Sequence, residues 1–170
     1  MNEYERRKAL GDWGEIKAAD LLRCATLSFQ KVRDVNVETR NHPFGDMYAE
    51  RGNECFLIGV KTRNQYQNQK RGPLNETYNI KKKGADVRAI GDRYQAELAW
   101  VVIQVIPELQ QFNAYFGTIA QIVEEKERFS IRMKPEYTRD YLRLGVPNEF
   151  DPSIRPEWSN GGYARRRRQG

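Results

Sequence analysis

Asp46 and Lys61 bracket the segment GDMYAERGNECFLIGVK (45–61) of this 170-residue chain. The segment reads as two short strands joined by a polar turn at Arg51, Gly52, Asn53 and Glu54. The two ends of a hairpin return to one another, because paired strands lie only about 4.8 Å apart. Asp46 and Lys61 can therefore face one site. A carboxylate can hold a hard cation, and a neighbouring lysine can orient a water and balance phosphate charge. That is the chemistry of metal-assisted phosphodiester cleavage. Each residue also has a plainer reading: Asp46 after Gly45 could end a strand, and Lys61 could be a solvated cation guarding a strand edge.

Several elements must position these groups. Residues 3–26 read as a helix, with Leu10, Trp13, Ala18, Leu21, Leu22 and Ala25 on one face and Glu15 at its border. Residues 29–39 alternate apolar and polar, with an irregularity near Asp34, and read as an edge-leaning strand. The hairpin strands span 45–50 and 55–62. Phe56, Leu57 and Ile58 are consecutive and apolar, as in a strand covered on both faces. Residues 63–84 are rich in Gln, Asn, Lys and Arg and read as a polar arm. A helix is predicted over 85–97, a buried strand over 99–106, and its antiparallel neighbour over 112–117. Short helices are predicted over 119–128 and 135–144, the second with Pro135 in its first turn.

The order is helix, three strands, arm, helix, two strands, helices. It predicts an α/β (α+β) fold with a mixed sheet of about five strands flanked by helices. At this length one domain is expected over 1–145, followed by an extended basic C-terminal tail over 146–170. No apolar run is long enough to span a membrane, and the start MNEYERRKAL has no signal-peptide core. A cytoplasmic protein with no membrane partner is expected.

Helix acid, strand acid and strand-end lysine come in the order Glu15 (GDWGEIKAADLL), Asp46 (HPFGDMYAE), Lys61 (FLIGVKTR). This pattern resembles the PD-(D/E)xK nuclease superfamily, the restriction-endonuclease-like nucleases, over roughly residues 5–118. The resemblance implies a Mg²⁺-dependent (or Mn²⁺-dependent) nuclease, a DNA endonuclease above all. It makes Asp46 a metal ligand, Lys61 the catalytic lysine and Glu15 the helix acid. Val60 would offer its main-chain carbonyl to the metal. Many such proteins act as dimers, so a homodimer is a further expectation.

One position departs from the pattern. The acid-x-Lys element reads Gly59-Val60-Lys61, so the second strand carboxylate has no side chain. Glu50 has the right strand parity to share a face with Asp46. Four residues at about 3.3 Å each put it about 13 Å away. Three readings stay open: an active site with a reduced ligand set, an inactive nuclease fold kept for binding nucleic acid, or an introduced change that traps a substrate complex.

The charge supports an anionic partner. The net charge is +6, and basic residues crowd the arm and the C-terminus. Arg63, Lys70, Arg71, Lys81, Lys82 and Lys83 could grip a phosphate backbone, with Tyr78 available to stack on a base. Arg165, Arg166, Arg167 and Arg168 form a second cluster suited to salt-sensitive, sequence-independent contact. A scaffold protein whose charge is incidental explains this distribution worst. His42 stands alone, and with Cys24 and Cys55 it cannot build a zinc site of Cys and His. In its loop before Pro43 it is a solvated side chain more readily than a general base.

Overall fold

The structure is a computed structural model. It describes residues 2–24, 27–35, 45–64, 67–68, 72–73, 77–80, 84–106, 109, 111–125, 128–145 and 148–149. In chain order the elements are α1 (Glu3–Leu22), β1 (Phe29–Asp34), β2 (Met47–Arg51), β3 (Glu54–Asn64), β4 (Gln67–Asn68), β5 (Gly72–Pro73) and β6 (Thr77–Ile80). There follow α2 (Gly84–Tyr94), β7 (Glu97–Ile106), β8 (Gln111–Thr118), a 3₁₀ turn (Ile119–Gln121), β9 (Val123–Glu125), β10 (Arg128–Arg132), α3 (Pro135–Thr138), β11 (Leu142–Arg143) and β12 (Asn148–Glu149). The helices and sheet together give the α+β class expected from the sequence.

The main sheet has the order β1-β2-β3-β7-β8-β11, with β12 also on the outer edge of β8. Its five longer strands are those the sequence predicts, and two dipeptide strands extend the β8 edge. All its pairings are antiparallel except β3 with β7. The parallel pair requires a crossover, and α2 lies within it. At the hairpin turn Gly52 takes φ +61, a left-handed conformation that glycine adopts without a Cβ clash.

β3 and β7 are apolar almost throughout because both faces are covered. Phe56, Ile58 and Val60 point to one side with Ala99, Val101, Ile103 and Val105, under Leu10, Trp13, Ala18 and Leu22 of α1. Phe29, Phe56 and Phe116 meet edge to face in this layer. Leu57 points to the other side with Leu98, Trp100 and Val102, against Tyr78, Ile131 and Met133. Those last residues come with a three-stranded sheet of order β6-β10-β9. The capping box of α1 is complete: Asn2 accepts from the Glu5 amide at 2.9 Å, and Glu5 accepts from the Asn2 amide at 2.7 Å. Among the described residues no helix is long and apolar enough to cross a membrane.

Several local expectations are overturned, each by tertiary packing. Where a helix is expected over 119–128, Ile119–Gln121 form a 3₁₀ turn and Val123–Glu125 form strand β9. Gln121 pins that turn: it accepts from the Thr118 amide at 3.0 Å and donates to the Asp140 carbonyl at 2.9 Å. The helix expected over 135–144 closes at Thr138. Tyr141 instead packs edge-on against Trp100 at 4.7 Å, and Leu142 and Arg143 pair with Phe116 and Tyr115. The polar arm carries strand β6, which pairs with β10. Asn148 and Glu149 also pair with the start of β8.

Trp100 is fully buried, and its indole N–H donates to the Thr118 carbonyl at 3.0 Å. Trp100→Ala is expected to lower unfolding stability by about 3–5 kcal/mol, measured by denaturant titration.

Candidate active site

The site forms where β3 outruns its neighbour. β2 pairs with β3 only from Arg51↔Glu54 to Met47↔Ile58, whereas β7 follows β3 from Phe56 to Asn64. Beyond Ile58 no strand among the described residues pairs with the β2-side edge. Asp46 closes that gap. Its amide donates to the Ile58 carbonyl at 2.8 Å, and its carboxylate Oδ2 accepts from the Val60 amide at 2.6 Å. A third bond, from the Val35 amide to the Asp46 carbonyl at 3.0 Å, ties the residue to β1. Asp46 thus sits astride positions 58–60, directly beside Gly59.

Two glycines set the acids. Gly14 precedes Glu15, and a Cβ on it would lie 1.7 Å from Thr62 Oγ1, so α1 rests directly on β3. Gly45 precedes Asp46, and a Cβ there would lie 2.4 Å from Leu57 Cδ1. The close backbone approach that only glycine allows brings each following carboxylate to the same stretch of β3.

Glu15 is half-buried, and its carboxyl is pushed up to about 7. Burial is the first cause, and the negative charge of Asp46 the second. Asp12 and Asp34 add to the rise, while Lys61 opposes it. The structure therefore brings Glu15, Asp46 and Lys61 within electrostatic reach of one another. Lys61 lies on β3 and is part-buried, and Arg63 follows it, exposed, with its guanidinium donating to the Thr62 carbonyl at 2.9 Å. Gly59 is buried.

Glu50 does not fill the place of the missing acid. It pairs with Lys31 at 2.9 Å and accepts from the Tyr48 hydroxyl at 3.1 Å, beside Cys55 across the strand pair. Asp34 is a further acid near Glu15, which the sequence showed only as an irregularity in the first strand. It ends β1 opposite Met47, and its charge reaches Glu15.

Tyr78 requires a correction. Only 2% exposed, it belongs to the second core layer, so its ring is not presented for base stacking. Burial also raises its phenol. Lys70, Arg71, Lys81, Lys82, Lys83, Arg165, Arg166, Arg167, Arg168 and His42 lie outside the described residues.

The donor set can be tested against a divalent cation. Among the described residues no group of three or more His, Cys, Asp or Glu side chains is arranged to hold a metal ion. Glu15 and Asp46 form a smaller set: two hard oxygen donors whose mutual repulsion a cation would relieve. Such a pair fits one Mg²⁺, an ion that keeps several waters and takes one or two carboxylates.

No protein-family model matches the chain, and no curated protein matches it. Solved structures do match. Hjc, a Holliday junction resolvase from the archaeal hyperthermophile Archaeoglobus fulgidus, superposes with a TM-score of 0.50 at 15% identity, over 76% of this chain and 91% of that one. The likeness is one of fold: the sheet and its flanking helices have the restriction-endonuclease-like arrangement.

The raised Glu15 carboxyl makes stability pH-dependent. Below about 4.5 the group is protonated in both folded and unfolded chains. Between about 4.5 and about 7 the unfolded chain ionises first, so folding is progressively penalised, and above about 7 the penalty is constant. In EDTA, Glu15→Gln is expected to gain thermal stability relative to the parent across that window and to match it below. Parallel melting curves at all pH values would contradict the burial of this charge.

Proposed function

We propose that the chain is a divalent-metal-dependent nuclease that hydrolyses phosphodiester bonds in nucleic acid, acting as a DNA endonuclease. The observation that carries this reading is the meeting of Asp46, Glu15 and Lys61 at the open edge of β3. Asp46 and Glu15 would hold Mg²⁺ or Mn²⁺, with the Val60 carbonyl as a further donor. When bound, the cation supplies Lewis acidity at the phosphate and lowers the pKa of water. Lys61 would contribute an ammonium that balances phosphate charge and orients the attacking water. Asp46 is already rigid, because its second bond to the strand fixes the carboxylate before any ligand arrives. Arg63 supports the approach of a backbone, with Lys70, Arg71, Lys81, Lys82, Lys83 and Arg165–Arg168 proposed as further phosphate contacts. The fold shared with a junction resolvase makes four-way-junction DNA the first substrate to try.

Gly59 favours a second reading, a nuclease fold that binds nucleic acid without cutting it. The position beside Asp46 that would carry another carboxylate is buried and has no side chain. A site with fewer anionic donors holds a cation less tightly, and a two-metal arrangement is harder to build.

Two variants test these readings. Asp46→Ala, checked for folding by melting, is expected to abolish cleavage of junction and plasmid DNA in Mg²⁺ or Mn²⁺; persisting cleavage would refute the assignment. Titration calorimetry of Mn²⁺ into the parent and into Gly59→Glu is expected to show tighter binding by the variant. A parent that neither binds metal nor cuts, beside a variant that does both, would establish the binding-only reading.

A further inference from the structure

The contacts expected from the sequence all follow Asp46 along the chain, and the structure adds a cation on the other side of the acids. Arg33 lies on β1, exposed, with its guanidinium carbon 4.7 Å from the centre of the Tyr48 ring. The register places Arg33 opposite Tyr48 and Tyr48 opposite Leu57, so the three share a sheet face. Alternation along β3 puts Gly59, Lys61 and Arg63 on that face too. From the Leu57 row to Arg63 is six residues, about 20 Å at 3.3 Å each.

The platform under Arg33 is built. The Tyr48 hydroxyl donates to Glu50 at 3.1 Å, and Lys31 clamps Glu50 at 2.9 Å. Lys31 reaches it from a bulge: its φ is +48, and the β1–β2 register shifts between Gln30 and Arg33. A guanidinium held over a ring is fixed in place while its charge stays open to solvent, where a phosphate can meet it. Tyr48 is two residues from Asp46, so the guanidinium it carries lies on the candidate site's side of β2.

We infer that Arg33, carried on Tyr48, is a backbone-contacting residue that holds the nucleic-acid strand on the side of Asp46 away from Lys61 and Arg63. This rests on the nuclease or nucleic-acid-binding reading above. Arg33 acts through binding, with no part in proton transfer or metal holding.

Arg51 supplies a matched control. It too lies over an aromatic ring, Phe29, at 5.5 Å, but at the far end of β2, five residues or about 16 Å from Asp46. The experiment is fluorescence anisotropy with labelled duplex DNA in EDTA, titrated over a range of salt, on the full chain. Arg33→Gln is expected to weaken binding about tenfold and to lower the salt slope by about one. Arg33→Lys and Tyr48→Leu should fall between it and the parent, and Arg51→Gln should match the parent. Melting curves confirm that each variant folds. If the parent binds and Arg33→Gln binds equally well, or Arg51→Gln loses as much, the inference fails while the nuclease reading stands. If the parent does not bind DNA at any salt, the functional reading fails and takes this inference with it.

Discussion

β3 is held along nine register pairs by β7 and along only five by β2, and the site exists because of that inequality. A strand edge with unpaired amides must be satisfied somehow. Here the carboxylate of Asp46 accepts one of those amides, at Val60, in place of the missing strand. The same bond that completes the sheet therefore fixes the acid. Nearby, α1 presses onto β3 at Gly14, and Glu15 enters the field of Asp46.

The electrostatics follow from this packing. Burial and surrounding acids raise the Glu15 carboxyl, and Lys61 is the cation that opposes the rise. A site of this kind is under electrostatic tension, which a proton on Glu15 relieves. Asp34 deepens the negative field without standing in for the side chain that Gly59 lacks. Positive charge lies nearby: Arg33 and Arg63 are exposed, and Lys61 is part-buried on β3.

The second sheet face shows how a polar sequence can still build a core. β6 and β10 bring Tyr78, Ile131 and Met133 over Leu57, Trp100 and Val102, and Tyr141 closes the layer against Trp100. Tyr78 stands in a polar segment without a periodic apolar run, and the pairing of β6 with β10 carries it into this layer.

Local pattern alone determined the spine of this protein. The alternation and apolar runs of β2, β3, β7 and β8, the polar turn at Gly52, and the order Glu15, Asp46, Lys61 are properties of short windows, where period and residue type suffice. The same windows could not decide 119–144, where Gln121 and Tyr141 choose their conformation by reaching residues far away in the chain. Nor could they decide that Tyr78 is buried, that Asp34 faces Glu15, or that Arg33 lies on Tyr48. Each of those depends on strand register and on layers meeting across the sheet, and pairing energies of that kind are settled only when distant segments come together.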